Sequence, residues 1–234
     1  MVLDKMKNCI VLSGEFRSFR DTAESITSFI DTNKLDVYCF LWGDNPDEKR
    51  YVLNKLKPVN YRFEKYSAHK DIFEQIETKV RAINPKNAPN DKVAGNASMN
   101  FARKQAYSLI REHYDNIVYC RYDIDIHQQF IIAEQPDAIL TPMEESYNLV
   151  SDIFAVIPSE YASHYFLYDE YERLHSTQFE PKFEEWLRTI KQYGEENIRI
   201  HKYERYCPHM MLLRNLFNNN VPLIQQDIPV RLKR

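Results

Sequence analysis

The sequence predicts an α/β domain: a mostly parallel central sheet flanked by helices, regular in its first half and less regular afterwards. Three observations carry that expectation. Apolar, strand-like runs alternate with amphipathic, helix-like stretches along the first ~125 residues, the pattern of a parallel sheet with right-handed crossovers. The strand-like runs are apolar throughout, as expected when helices cover both faces of a sheet. The chain has 234 residues, 44% hydrophobic and 28% charged, which suits one soluble domain with a sizeable core.

The elements follow in order. "NCIVLSG" is a first strand ended by Gly14. "EFRSFRDTAESITSFIDTN" is a helix with Ile26, Phe29 and Ile30 on one face and Asp21 or Thr22 as its cap. "LDVYCFLWG" is a second strand, stopped by Gly43. "PDEKRYVLNKLK" opens on Pro46 and acids and closes on lysines, as the helix dipole favours. "VNYRFEKY" alternates and reads as a third strand. "AHKDIFEQIETKVRAI" is a helix with Ile72, Phe73, Ile76, Val80 and Ile83 facing the core.

Residues 84–97 carry prolines, asparagines and a glycine, and read as a loop long enough to be a lid or a plain insertion. A helix from Ser98 places Met99, Ala102, Ala106, Leu109, Ile110 and His113 on one face. It feeds a fourth strand, "NIVYCRYDIDI". Beyond it, "AILTP" and "VSDIFAVIP" suggest short strands. "SEYASHYFLYDEYERLH", "PKFEEWLRTIKQYG" and "CPHMMLLRNLFNNN" suggest helices, and "VPLIQQDIPVRL" a closing strand. No repeat or linker divides the chain, so 1–234 reads as one domain, with a regular half over about 1–126 and a looser half over about 127–234.

Composition excludes several function classes. A net charge of −3 with no basic stripe gives no support for nucleic-acid binding. Only 4 glycines are present, and neither G-x-G-x-x-G nor a P-loop occurs, which argues against a glycine-cradled dinucleotide or ATP site. Cys9, Cys39, Cys120 and Cys207 lie far apart without a C-x-x-C, and read as buried, reduced thiols. The charged start "MVLDKMKN" is unlike a signal peptide, and no apolar run approaches the ~18 residues of a membrane span, so the expectation is a soluble, cytoplasmic protein.

The chemistry concentrates in "NIVYCRYDIDI". Asp123 and Asp125 are two residues apart, so one strand would project both to the same face. Ligands of open parallel sheets bind beyond the carboxyl ends of the strands, where these acids fall. Two close carboxylates repel unless a cation neutralises them. Mg²⁺ or Mn²⁺ would do so, using one or two carboxylates plus substrate phosphates. The plainer alternative is a pair of surface acids at a strand-to-loop junction.

These stretches together resemble the glycosyltransferases of the GT-A fold, the nucleotide-sugar-dependent class with an Asp-x-Asp motif, as found among polysaccharide-building enzymes of large viruses and bacteria. "IVLSGEFRSF", "LDVYCFLW", "ARKQAYSLIREHYDNIVYCRYDIDI" and "VSDIFAVIP" carry the resemblance, which spans residues ~8 to ~160 in pattern. It implies a GT-A-like sheet and transfer of a sugar from a UDP- or GDP-sugar type of donor to an acceptor hydroxyl, on a glycan or polysaccharide. The first half would then hold the nucleotide sugar and the second the acceptor. Mn²⁺ or Mg²⁺ would bridge the donor diphosphate, with Asp125 as direct ligand and Asp123 on the ribose or on metal-bound water.

Other residues are candidates by position. Gly14 allows close backbone approach after the first strand, and Arg17 or Arg20 can pair with phosphate. Ser98 and Arg103 sit near the start of a helix, where anions are favoured; Ser98 is equally placed to serve as its cap. Arg121 lies on the face of Asp123, placed to bridge it or to touch the donor. Asp152 is the candidate base for an acceptor proton, and His209 the candidate to complete a metal shell. The aromatic run Tyr161, Tyr165, Phe166, Tyr168 and Tyr171 reads as acceptor cleft, core or subunit interface. Two other readings of the function remain: a metal-dependent nucleotidyl- or phosphotransferase, and a non-catalytic nucleotide-sugar-binding module.

Overall fold

The computed structural model describes residues 6–83, 93–132, 136–142, 150–168 and 208–233. Strand β1 (Asn8–Glu15) leads through α1 (Phe19–Asn33) to β2 (Asp36–Trp42), and α2 (Pro46–Leu56) leads on to β3 (Asn60–Glu64). Helices α3 (Lys70–Ile83) and α4 (Val93–Tyr107) precede β4 (Asn116–Arg121) and β5 (Ile124–Ile126). Strands β6 (Ile139–Pro142) and β7 (Phe154–Pro158), the short α5 (Ala162–Phe166), α6 (Pro208–Asn218), β8 (Leu223–Gln226) and β9 (Val230–Leu232) follow.

Seven strands form one sheet in the order β3-β2-β1-β4-β7-β6-β8, and β5 pairs with β9 in a separate ribbon. Within the sheet β7 runs against both its neighbours and every other pairing is parallel. The expected α/β architecture, a mostly parallel sheet flanked by helices, is what the chain adopts. Strand alternation builds a core on each face. Cys9 and Val11 of β1 and Ile117 and Tyr119 of β4 face one layer, with Phe73 of α3, Ala102 and Ala106 of α4, and Leu212 and Leu216 of α6. Ile10, Leu12, Val118 and Cys120 face the other, with Phe19, Ile26 and Phe29 of α1 and Val52 of α2. Fully buried side chains of this kind contribute roughly 1.5–3 kcal/mol each. Among the described residues no helix is long and apolar enough to cross a membrane.

Local signals hold in α2. Asn45 caps it by accepting a hydrogen bond from the Asp47 N–H at 2.9 Å, and Pro46 occupies the first turn. Elsewhere the elements depart from expectation. The cap of α1 is Ser18, not Asp21 or Thr22, because the Phe19 N–H already bonds the Phe16 carbonyl; the Thr22 hydroxyl donates instead to the Tyr122 carbonyl at 2.6 Å. Ile72 of α3 is exposed, although Phe73 beside it is buried. Helix α4 starts at Val93 rather than Ser98, and ends at Tyr107, short of the expected His113. The aromatic run after residue 160 largely serves the core: Tyr165, Phe166 and Tyr168 are buried, Tyr161 packs against them, and Tyr171 lies outside the described residues. The last part of the expected helix 159–175, from residue 169 on, and the whole of the expected helix 181–194 also lie outside them.

Two corrections bear on the site. "NIVYCRYDIDI" is two strands, broken at Tyr122-Asp123. "VPLIQQDIPVRL" likewise divides into β8, in the main sheet, and β9, which pairs Val230, Arg231 and Leu232 with Ile126, Asp125 and Ile124. The reason is where the backbone groups after Arg121 find partners. The Asp123 carbonyl accepts from the Lys233 N–H at 2.8 Å, and the Ile126 N–H donates to the Ser25 hydroxyl at 3.1 Å. The last strand and α1 draw the chain out of the sheet by satisfying groups that must be paired when buried.

Candidate functional site

The chain moves from β1 to β2 to β3 in one direction, then places β4 on the other side of β1. A crevice opens at such a reversal, beyond the carboxyl ends of the strands. Here it is a cleft of about 830 Å³. Ser13, Gly14 and Glu15 reach it from β1, Arg17 and Ser18 from the turn into α1, Arg121 from β4, and Asp123 from the turn after it. Trp42 closes one side, Gly95, Asn96, Ser98 and Met99 of α4 another, and Leu232 and Lys233 come from the end of the chain.

The β1–α1 turn has an unusual backbone. Gly14 has φ +132°, which glycine tolerates, and a Cβ there would meet nothing within 4 Å, so its backbone is open to the cleft. Arg17 has φ +33°, a region that side chains other than glycine rarely adopt. Such strain, of order 1–3 kcal/mol, persists where surrounding structure imposes it and clusters at binding sites. Arg17 is half exposed; its Nε donates to Glu15 at 2.9 Å and its Nη1 lies 3.5 Å from Asp123.

Asp123 is 3% exposed and is held from several sides. Arg121 grips its carboxylate with two bonds, Nε to Oδ1 at 2.9 Å and Nη2 to Oδ2 at 2.6 Å. Burial is the largest single influence and works against the charge of Arg121, but the hydrogen bond and charge of Asp123, with Tyr119 and Asp152, together outweigh it and hold the guanidinium above its ordinary pKa. Asp125 belongs to a different environment. It is absent from the cleft lining, and its Oδ2 takes Arg231 at 3.0 Å with Lys233 at 3.7 Å. Partial burial raises its pKa, yet the hydrogen bonds of Arg231 and Ser25 and the charge of Lys233 prevail, and its carboxyl sits below the usual range.

A divalent cation needs several oxygen donors converging on one point. The structure does not bring Asp123 and Asp125 to a common point, because they lie on different elements and each is neutralised by its own cations. Among the described residues no three acids, histidines or cysteines gather in a way that would hold a metal. His209 is the second residue of α6, and its side chain lies outside the described residues. The described side chains therefore do not assemble the ion site that the Asp-x-Asp spacing suggests.

The remaining candidates divide. Ser98 lies within α4, its hydroxyl donating to the Gly95 carbonyl at 2.8 Å, so it is neither a cap nor at a helix start, but it does line the cleft. Arg20 turns away and stacks over Tyr51 and Phe16, 4.7 and 5.4 Å from the ring centres. Arg103 and Asp152 are both 3% exposed and line a small cavity that shares Asn96, Met99 and Tyr119 with the cleft wall. The Arg103 guanidinium bonds Asn100 and lies over the rings of Tyr168, Tyr165 and Tyr119, 4.7–5.9 Å away. Its Nε is buried and has no acceptor among the described residues. Sequence reasoning missed Trp42 and Lys233 as cleft residues. Trp42 was legible as the last residue of an apolar strand; nothing local marked Lys233.

No protein-family model matches the sequence, and no curated protein matches it. Solved structures do resemble it at low identity. The apo-form glycosyltransferase GlyE of Streptococcus pneumoniae TIGR4 is 12% identical, with a TM-score of 0.43 over 94% of this chain and 45% of that one. The galactosyltransferase LgtC, in complex with donor and acceptor sugar analogs, is 11% identical, with a TM-score of 0.46 over 92% of this chain and 72% of that one. Mouse xyloside xylosyltransferase 1 is 8% identical, with a TM-score of 0.40 over 95% of this chain and 85% of that one. The chain spans less than half the length of GlyE. At these values the likeness concerns the general course of the chain and assigns no residue.

Proposed function

We propose that the protein is a glycosyltransferase that moves a sugar from a nucleotide-diphosphate donor, of the UDP- or GDP-sugar kind, to an acceptor hydroxyl on a glycan or polysaccharide. One observation carries the reading. The cleft at the strand-order reversal is lined by Arg17, Arg121 and Lys233 together with the open backbone of Gly14 and the largely buried rings of Trp42 and Tyr119. Cations and open backbone suit phosphates, and aromatic side chains in the wall suit a base or sugar ring.

In this reading the bond between the anomeric carbon and the diphosphate breaks, and the acceptor oxygen bonds the anomeric carbon. The nucleoside diphosphate leaves with the bonding pair, and Asp152 takes the acceptor's proton. The sequence resemblance implies Mn²⁺ or Mg²⁺ at Asp123 and Asp125; because the described carboxylates do not converge, no step is assigned to an ion.

A panel of nucleotide sugars tests the proposal, with thermal stabilisation and release of free nucleoside diphosphate as readouts. One donor is expected to stabilise the protein and to be turned over, slowly with water and faster with an acceptor glycan. Stabilisation without release would indicate a binding module instead. Stabilisation by nucleoside triphosphates with release of pyrophosphate would indicate a nucleotidyltransferase.

A further inference from the structure

We propose that Arg17 and Lys233 grip the donor diphosphate in this cleft in place of a divalent cation, while Arg121 serves to neutralise Asp123. The inference rests on the nucleotide-sugar reading above and names the groups that meet the phosphates.

The charges around the cleft lead to it. Its lining holds three cations, Arg17, Arg121 and Lys233, against two carboxylates, Glu15 and Asp123. A diphosphate approaching Asp123 would be repelled by a bare carboxylate. Arg121 removes that repulsion, since its bonds to Asp123 are short and the pair is buried, with side-chain exposures of 14% and 5%. Arg121 is thereby spent on Asp123. Arg17 is not: its contact with Asp123 is long, 3.5 Å, its partner Glu15 is half exposed, and it sits in a strained turn that fixes it over the cleft.

Lys233 is held at the cleft through its backbone. Its N–H donates to the Asp123 carbonyl at 2.8 Å, and its carbonyl accepts from the Ser18 hydroxyl at 3.2 Å. Its backbone therefore ties the β1–α1 turn to the β4–β5 turn. Its side chain is 38% exposed and its ammonium lies 3.7 Å from Asp125, beyond ordinary hydrogen-bond length. Ser18 spends its hydroxyl on Lys233 and makes no side-chain cap for α1. Arg17 and Lys233 both line the cleft, and the Ser18–Lys233 bond holds Lys233 beside the turn that carries Arg17, so the two cations can meet one diphosphate together. The carboxylates that would anchor an ion are already paired.

The test is titration of the full chain with UDP, GDP, ADP and CDP, with Mn²⁺ and separately with EDTA. The parent protein is compared with Arg17→Ala, Lys233→Ala and Asp123→Asn, each checked for folding by circular dichroism. The expected result is one nucleotide bound within about twofold equally in Mn²⁺ and EDTA. Loss of a charge-assisted hydrogen bond should weaken binding roughly tenfold or more in Arg17→Ala and in Lys233→Ala. Asp123→Asn frees Arg121 and should bind at least as tightly as the parent. Binding that requires Mn²⁺, or that survives Lys233→Ala but is lost in Asp123→Asn, would overturn this proposal and leave the transferase reading standing. Absence of binding by every nucleotide in both conditions would overturn the nucleotide-sugar reading, and this proposal with it.

Discussion

Asp123 and Arg17 show how single side chains meet opposing demands here. Asp123 is buried, and its charge is tolerable because Arg121 supplies two hydrogen bonds. Asp123→Ala removes one partner of a buried pair and is expected to cost about 3 kcal/mol in urea unfolding. Replacing both members with apolar residues should cost less than the single change, because no unpaired charge is left. Arg17 presents the reverse case. Its φ of +33° suits glycine better than arginine, so Arg17→Gly is expected to leave stability within about 1 kcal/mol of the parent while weakening nucleotide binding. The buried thiols carry no such tension. Burial pushes the Cys39 thiol up to about 12 and raises those of Cys9 and Cys120 as well. All three should resist alkylation in the native protein and react on unfolding, as mass spectrometry of the labelled protein will show.

The β5–β9 ribbon is the element that local patterning concealed. Asp125 alternates with Asp123 in the sequence, and a continuous strand would point both one way. Pairing with β9 instead places Arg231 opposite Asp125. The pKa of Asp125 is depressed in the fold, so its contribution to stability is present above the ordinary carboxylate range and is lost as pH falls through the folded value. Arg231→Ala should therefore lower stability near neutral pH and converge with the parent in acid. The pair is partly solvated, so the difference should stay within about 1 kcal/mol; equal loss at both pH values would mean that the ion pair is not its source. Helix α4 illustrates a milder discrepancy. Its start at Val93 includes Gly95 and Asn96, poor helix formers that suggest a loop, yet Val93 and Ala97 are buried against the sheet and packing overrides propensity.

Across the molecule, the sheet brings Trp42 of β2 to the wall of the main cleft and of a second cavity of about 400 Å³ at the ends of β2 and β3. Donor binding is expected to change Trp42 fluorescence. The chain has 2 tryptophans, so the signal is read in Trp186→Phe, and an unchanged emission at saturating nucleotide would place the ligand elsewhere. The order of strands and helices up to β4, the apolar faces that form the two cores, and the candidacy of Gly14, Arg17 and Arg121 were legible in the chain. Those features depend on neighbours in sequence: alternation along a strand, spacing along a helix, a glycine after an apolar run. What the chain could not disclose was the separation of Asp123 from Asp125, the turning of Arg20 onto Tyr51, and the place of Lys233 in the cleft. Each of these depends on a partner far away in sequence, Lys233 for Asp123 and Arg231 for Asp125. Such pairings are fixed only when the folded backbone satisfies its last polar groups.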